Sequence, residues 1–306
     1  MSALWRESWH EARPHRTEHQ EIRHLMNTPE TRVTPRRSRS LGRFMSSSQR
    51  GRDVVISFVV VFTLWEFCAW AFDVPAYILP PPTRIWSDFW NQHVRILDAA
   101  RVTSAQIVLG YILSILISIP LAVMVSYSPK IERAILPIIV ALQIIPKIAI
   151  APLFIIWFGF GLAPKLLLVF LLCFFPIMVS ATTGLRSVPQ DILDLARSTG
   201  TSELMVFRKI RLPYAMPNIF TGLKVAATLA TTAAIVAEFV ASDRGLGYML
   251  LEYNGNLETG LVFATIILLS FIGVTLYSIV EFVERRVVSW HVSQRNLADS
   301  APLIGS

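Results

Sequence analysis

The chain is 306 residues long, 53% hydrophobic and only 16% charged, with a mean hydropathy of +0.52. A water-soluble domain of this size carries roughly a quarter charged residues, so a soluble fold is excluded and an all-α polytopic membrane protein is expected. The formal net charge of +7 would suit a nucleic-acid binder, but eleven of the 28 Lys and Arg residues fall in the first 52 positions, directly before the first apolar run. That is how a basic flank faces anionic lipid, so the expected partner is the bilayer and not nucleic acid.

Residues 1–52 are rich in Arg, Ser, Thr, Glu and Pro and are expected to form a disordered basic tail without the layout of a signal peptide. A transmembrane domain follows over residues 53–291, with a short tail over 292–306. Six spans are expected: Val54–Phe72 with Glu66 inside it, Val102–Tyr127, Ala134–Phe158, Lys165–Thr183, Pro217–Ala241 and Leu261–Val283. Between the first two, Pro75 and Pro80-Pro81-Pro82 dictate an extended stretch. Arg84–Leu97, with Trp86 and Trp90, then reads as a short interfacial helix. The glycine-rich segment Ser242–Gly260 is expected to be an irregular surface. Lys and Arg on alternate sides divide 21 against 5, intramembrane residues apart, which puts both termini and the loop before the fifth span in the cytoplasm.

That loop, residues 187–213, reads as two short helices. Ser187 and Gln190 have capping-box spacing, with Ser187 as N-cap, and Ile192, Leu195, Ala196 and Thr199 recur on one helical face. Gly200 sits where a left-handed C-cap is wanted. A second helix begins at Thr201 or Ser202, with Glu203 in its first turn and Leu204, Phe207 and Ile210 on one side. Pro213 is expected to end it and Pro217 to open the fifth span.

The run Asp194–Pro213, DLARSTGTSELMVFRKIRLP, resembles the signature loop of bacterial ABC importer permeases. The triplet Asp194-Leu195-Ala196 is followed after three residues by Gly200, and after nine more by Ile210-x-Leu212-Pro213. Asp194 stands where Glu is usual and Leu195 where Ala is usual. The resemblance implies that the loop couples the membrane domain to a separate ATPase. Asp194, Leu195, Ala196 and Gly200 would lie at or beside the contact, and Ile210, Leu212 and Pro213 would lead into the fifth span. Pro146–Pro152 with Trp157–Gly161, and Ala237-Glu238-Phe239 with Gly245–Tyr248, resemble the nitrate/sulfonate/taurine branch, which includes importers of pyrimidine and riboflavin-type compounds. The branch implies a type I ABC importer-like fold with six spans, a permease homodimer and a pair of ATPase subunits in the bacterial cell membrane. It also implies a periplasmic or lipid-anchored binding protein outside, and a small polar solute as cargo.

Charges inside apolar spans are costly and become candidates for the pathway, namely Lys147, Glu66 and Glu238. Lys147 can line the path, or be satisfied by carbonyls freed at Pro146 and Pro152, or pair with Glu66. Glu238, near the outer end of the fifth span, can serve a gate or docking face or be an interfacial carboxylate. Lys224 is expected to snorkel, and the stripe Ala226, Ala230, Ala233, Ala234, Ala237 and Ala241 to pack against another helix. Cys68 and Cys173 lie in apolar runs without a disulfide or metal pattern. No nucleotide-binding P-loop is present, and His10, His15, His19, His24, His93 and His291 lie outside the spans. No catalytic residue, metal or cofactor is therefore expected. The alternative to an ATP-driven permease is an ion-coupled secondary transporter working without an ATPase.

Overall fold

A computed structural model describes residues 47–288. Most of the expected tail 1–52, the tail 292–306 and every histidine but His93 lie outside the described residues. The chain divides at Val55 into two units, and the second, from Ile56, holds the helical bundle. The described residues are helical and contain no strand. Four helical runs are long and apolar enough to cross a membrane, or five if one sharply bent pair is a single span.

Helix α1 (Ser47–Ala71) has an apolar part, Ile56–Ala71, shorter than the other spans. Helix α2 (Pro82–Tyr127) is a 46-residue run of two helices joined across a kink at Gln92, so the break falls within the expected interfacial helix Arg84–Leu97, whose second part runs on into the second span. The reason is local: Asp98-Ala99-Ala100-Arg101 contains no helix breaker, and Pro82 occupies a first-turn position where its missing N–H costs nothing. Only Gln92 departs from helical geometry, at φ −120° and ψ 18°.

The expected third span is broken. Helix α3 (Pro129–Ile144) gives way to extended Ile145 and Pro146, a 3₁₀ turn (Lys147–Ile150) and helix α4 (Ala151–Phe158). The two arms meet at 85°. Pro146 removes a donor and pushes the preceding Ile145 out of helical conformation, so the axis turns there.

Helix α5 (Leu162–Arg186) packs against α2 and against α8 (Leu212–Ala241). The contacts are close because the residues are small. A Cβ on Gly222 would lie 2.6 Å from that of Ser180, and one on Gly184 would lie 2.8 Å from the Ala215 carbonyl oxygen. The alanine stripe of α8 is packed as expected, with Ala226, Ala230, Ala233, Ala234 and Ala237 fully or almost fully buried. Lipid is as apolar as leucine, so dispersion between closely approaching backbones, with hydrogen bonds across the gap, holds the helices together. Tyr111 Oη donates to Leu223 O (2.9 Å) and Ser118 Oγ to Phe174 O (3.1 Å).

The segment expected to be irregular contains helix α9 (Leu246–Gly255). Leu246, Met249, Leu250 and Tyr253 stand at i, i+3, i+4 and i+7 and are all buried; Leu246, Met249 and Tyr253 pack with Ile96, Ala99 and Ala100 of α2. Tyr253 Oη donates to Gln92 Oε1 (2.7 Å), and burial raises its phenol above the ordinary pKa. Helix α10 (Thr259–Val287) completes the bundle. Lys224 of α8 does not snorkel: its Nζ lies 2.8 Å from Glu284 Oε2 of α10, with the side chains 12% and 15% exposed.

Removing one member of so shielded a pair is costly, whereas replacing both with apolar residues is nearly neutral. Lys224→Met is expected to destabilise by about 3 kcal/mol, and the double change with Glu284→Leu to recover most of that loss. Tryptophan-fluorescence unfolding in detergent measures both. A loss in the double variant equal to the sum of the two single losses would show that the pair contributes no coupling.

Candidate functional site

The loop 187–213 is built around its own small core. Helix α6 (Gln190–Ser198) starts from Pro189, without a side-chain cap. Ser187 instead closes α5, its Oγ donating to Gly184 O at 2.8 Å. Extended Pro189 separates Ser187 from the helix it was expected to cap. Leu193, Ala196, Val188 and Val206 are buried together, with Ile192 and Ile210 against them. Leu195, expected to share one helical face with Ile192, Ala196 and Thr199, is 67% exposed while Ala196 is buried. Asp194 is also exposed.

Helix α6 ends in a Schellman turn. Gly200 N donates to Arg197 O (3.0 Å) and Thr201 N to Ala196 O (3.3 Å), with Gly200 at φ +72°. The left-handed residue at this position is the one expected, and glycine holds it without a Cβ clash. Arg197 spans the turn, 3.6 Å from Asp194 and 3.4 Å from Glu203. All three are exposed, so these pairs contribute at most about 1 kcal/mol each.

The second arm does not end at Pro213. Helix α7 (Glu203–Val206) passes through a π-helical segment (Phe207–Arg211) directly into α8. Pro213 lies in the first turn of α8 and Pro217 inside it. The widened turn, closed by Leu212 N to Phe207 O, accommodates prolines that cannot donate to the preceding turn. It also shifts the helical register. Val206 and Ile210 face the loop core and Phe207 the main core, while Leu204, expected with them, is 61% exposed.

The three intramembrane charges are not brought together. Glu66 accepts from Thr83 N (3.1 Å) and Thr83 Oγ1 (2.8 Å), capping the start of α2 from α1. Lys147, at the break between α3 and α4, donates to Gln143 O (3.1 Å) and lies 4.7 Å over the Phe175 ring. It does not pair with Glu66.

Glu238 is no interfacial carboxylate, because it is fully buried. Its Oε1 accepts from Thr103 Oγ1 (2.8 Å) and its Oε2 from Gly247 N (2.6 Å), while Thr103 Oγ1 accepts from Leu246 N (2.8 Å). A carboxylate of α8 thus caps the first turn of α9. Any Cβ on Gly245, at φ +106°, would run into that carboxylate. The two motifs around Glu238 and Gly245–Gly247 form one unit, which explains their types and spacing. Sequence reasoning missed Thr103, yet a signal existed. Thr103, Gln106, Tyr111, Ser114 and Ser118 make a polar stripe along an apolar helix, and all are buried.

Residues 110–289 match the family described as binding-protein-dependent transport system inner membrane component. The chain is 35% identical over 233 residues to a probable ABC transporter permease protein of Haemophilus influenzae, covering 76% of this chain and 95% of that one. It is 34% identical over 267 residues to the riboflavin transport system permease protein of Chloroflexus aurantiacus, covering 87% and 98%. A solved inward-facing structure of the MetNI methionine ABC transporter superposes with a TM-score of 0.54. It covers 65% of this chain and 97% of the solved chain at 18% identity, a likeness of fold. A bundle of apolar helices with a small-residue core and a folded loop leading into α8 fits the membrane component of such a transporter. This chain belongs to the family of binding-protein-dependent transport system inner membrane components.

Removing the Glu238 acceptors strands the Gly247 N–H in a buried site. Glu238→Ala is expected to cost about 2 kcal/mol, and Glu238→Gln, which keeps one acceptor oxygen, less. Unfolding midpoints in detergent rank the two variants; an unchanged midpoint for Glu238→Ala would refute the capping role.

Proposed function

We propose that the chain is the pathway-forming permease subunit of an ATP-driven importer and that loop 187–213 is the surface through which a separate ATPase pair drives it. The observation that carries this reading is mechanical. The second arm of the loop continues without a break into α8, so Glu203–Val240 is one helical run. A displacement of the loop therefore acts on the helix most closely packed in the bundle. Exposure distributes the roles within the motif. Asp194, Leu195 and Gly200 offer the contact, with Leu195 as an apolar anchor and Leu204 and Met205 exposed on the second arm. Ala196, expected at the contact, is buried and with Ile210 shapes the loop core. Leu212 and Pro213 form the junction with α8.

ATP hydrolysis then belongs to the partner subunits and this chain is no enzyme. Two copies of the permease form the pathway, and a binding protein delivers the solute at the end opposite the loop. The positive-inside distribution supports a cytoplasmic position for both termini and the loop. The cargo is a small polar solute, an anion of the nitrate, sulfonate or taurine kind or a heterocyclic vitamin precursor, with Lys147 at the break facing the path. The ion-coupled alternative requires charges converging on a path, and Glu66 and Glu238 are instead engaged at helix N-termini.

Leu195→Glu is expected to reduce retention of the ATPase subunit on affinity-tagged protein from membranes by about tenfold, without changing the amount of inserted permease. Undiminished retention would remove Leu195 from the contact. The same would hold for Gly200→Glu and the turn.

A further inference from the structure

The π-helical segment reaches a second helix besides its own. Tyr127, the last residue of α2, is held between two residues of that segment. Its ring packs against Phe207 (centroids 6.0 Å apart, planes at 60°), and the Arg211 guanidinium carbon lies 4.5 Å over it. Arg211 Nε is buried and has no hydrogen-bond partner among the described residues, so the ring face is the contact that accommodates the group.

Immediately after Tyr127 the broken span begins. Ser128 is the N-cap of α3, accepting from Ile131 N at 3.4 Å. Helix α3 ends at the 85° break that carries Lys147. The same corner is held to α5 by Arg186, which pairs with Glu132 and donates to Val125 O at 3.3 Å. The loop thus reaches the root of the broken span through the Tyr127 ring.

We infer that Tyr127, clasped by Phe207 and Arg211, is the positioning residue that passes movement of the 187–213 loop to α3 and the break at Lys147. The inference rests on the coupling role proposed for the loop. It adds a second route beside the continuous one into α8, and this route moves a different span. A π-segment suits this role because its loose hydrogen-bond register lets Phe207 and Arg211 turn together while the helix stays intact.

The test uses the permease purified from membranes in complex with its ATPase, so that no substrate need be known. In a Cys68→Ser, Cys173→Ala background, Ile148→Cys places a thiol beside Lys147 at a half-exposed position. Its rate of reaction with a polar maleimide is followed with and without ATP and vanadate, alongside phosphate release. The parent is expected to change labelling rate by about tenfold on trapping. Tyr127→Phe keeps that change. Tyr127→Leu hydrolyses ATP at the parental rate but loses it, and Arg211→Lys, which keeps the charge without the plane, weakens it. A full labelling change in Tyr127→Leu would overturn the inference, as would hydrolysis and labelling falling together, which marks an assembly defect. A parent that hydrolyses ATP without any labelling change would bring down the coupling reading itself, and this inference with it.

Discussion

Hydrocarbon offers no partner to an exposed backbone N–H or C=O, and the organisation of this protein follows from that constraint. Helix starts and breaks free backbone polar groups, and at some of them a side chain from elsewhere meets the need. At two starts the group is a glutamate on a neighbouring helix, Glu66 for α2 and Glu238 for α9. These carboxylates stand in for the water that would hydrate a helix end, and each fixes two helices in one register. At the break between α3 and α4 the freed Gln143 carbonyl is met by Lys147. Charged residues in an apolar sequence point to transport when considered singly, but two of the three here are structural.

The same constraint governs how the helices meet. With no hydrophobic gain available between spans, close approach depends on Gly184, Gly222 and the alanines of α8. Such an interface is stiff, because small side chains have no rotamers with which to absorb a shift. A rigid α8, continuous with the loop through the π-segment, suits a part that carries motion. The loop has a separate core of Val188, Leu193, Ala196 and Val206.

The relatives show the transport family, and the structure separates exposed from buried positions within the Asp194–Pro213 motif. In the Asp194–Gly200 segment adjacent residues play different parts, Leu195 facing outward and Ala196 inward. A helix turns 100° per residue, so one step around it separates a contact from a core position.

Much was legible beforehand. Length and apolarity determined a helical membrane protein, the Asp194–Pro213 spacing determined its family, and Gly200 announced its turn, because hydropathy, steric limits and motif spacing act locally. Periodicity even contained α9, whose apolar residues at i, i+3, i+4 and i+7 were obscured by glycines around them. Other features depended on what lay across a gap. Whether Lys224 snorkels or pairs with Glu284 is decided by a residue 60 positions away, and the burial of Glu238 by Thr103 and the α9 backbone. Prolines at 213 and 217 look like breaks in the sequence, yet a π-turn closed by Leu212 and Phe207 carries the helix past them. Local propensity measures the cost of an arrangement, and only the neighbours brought by folding decide whether that cost is met.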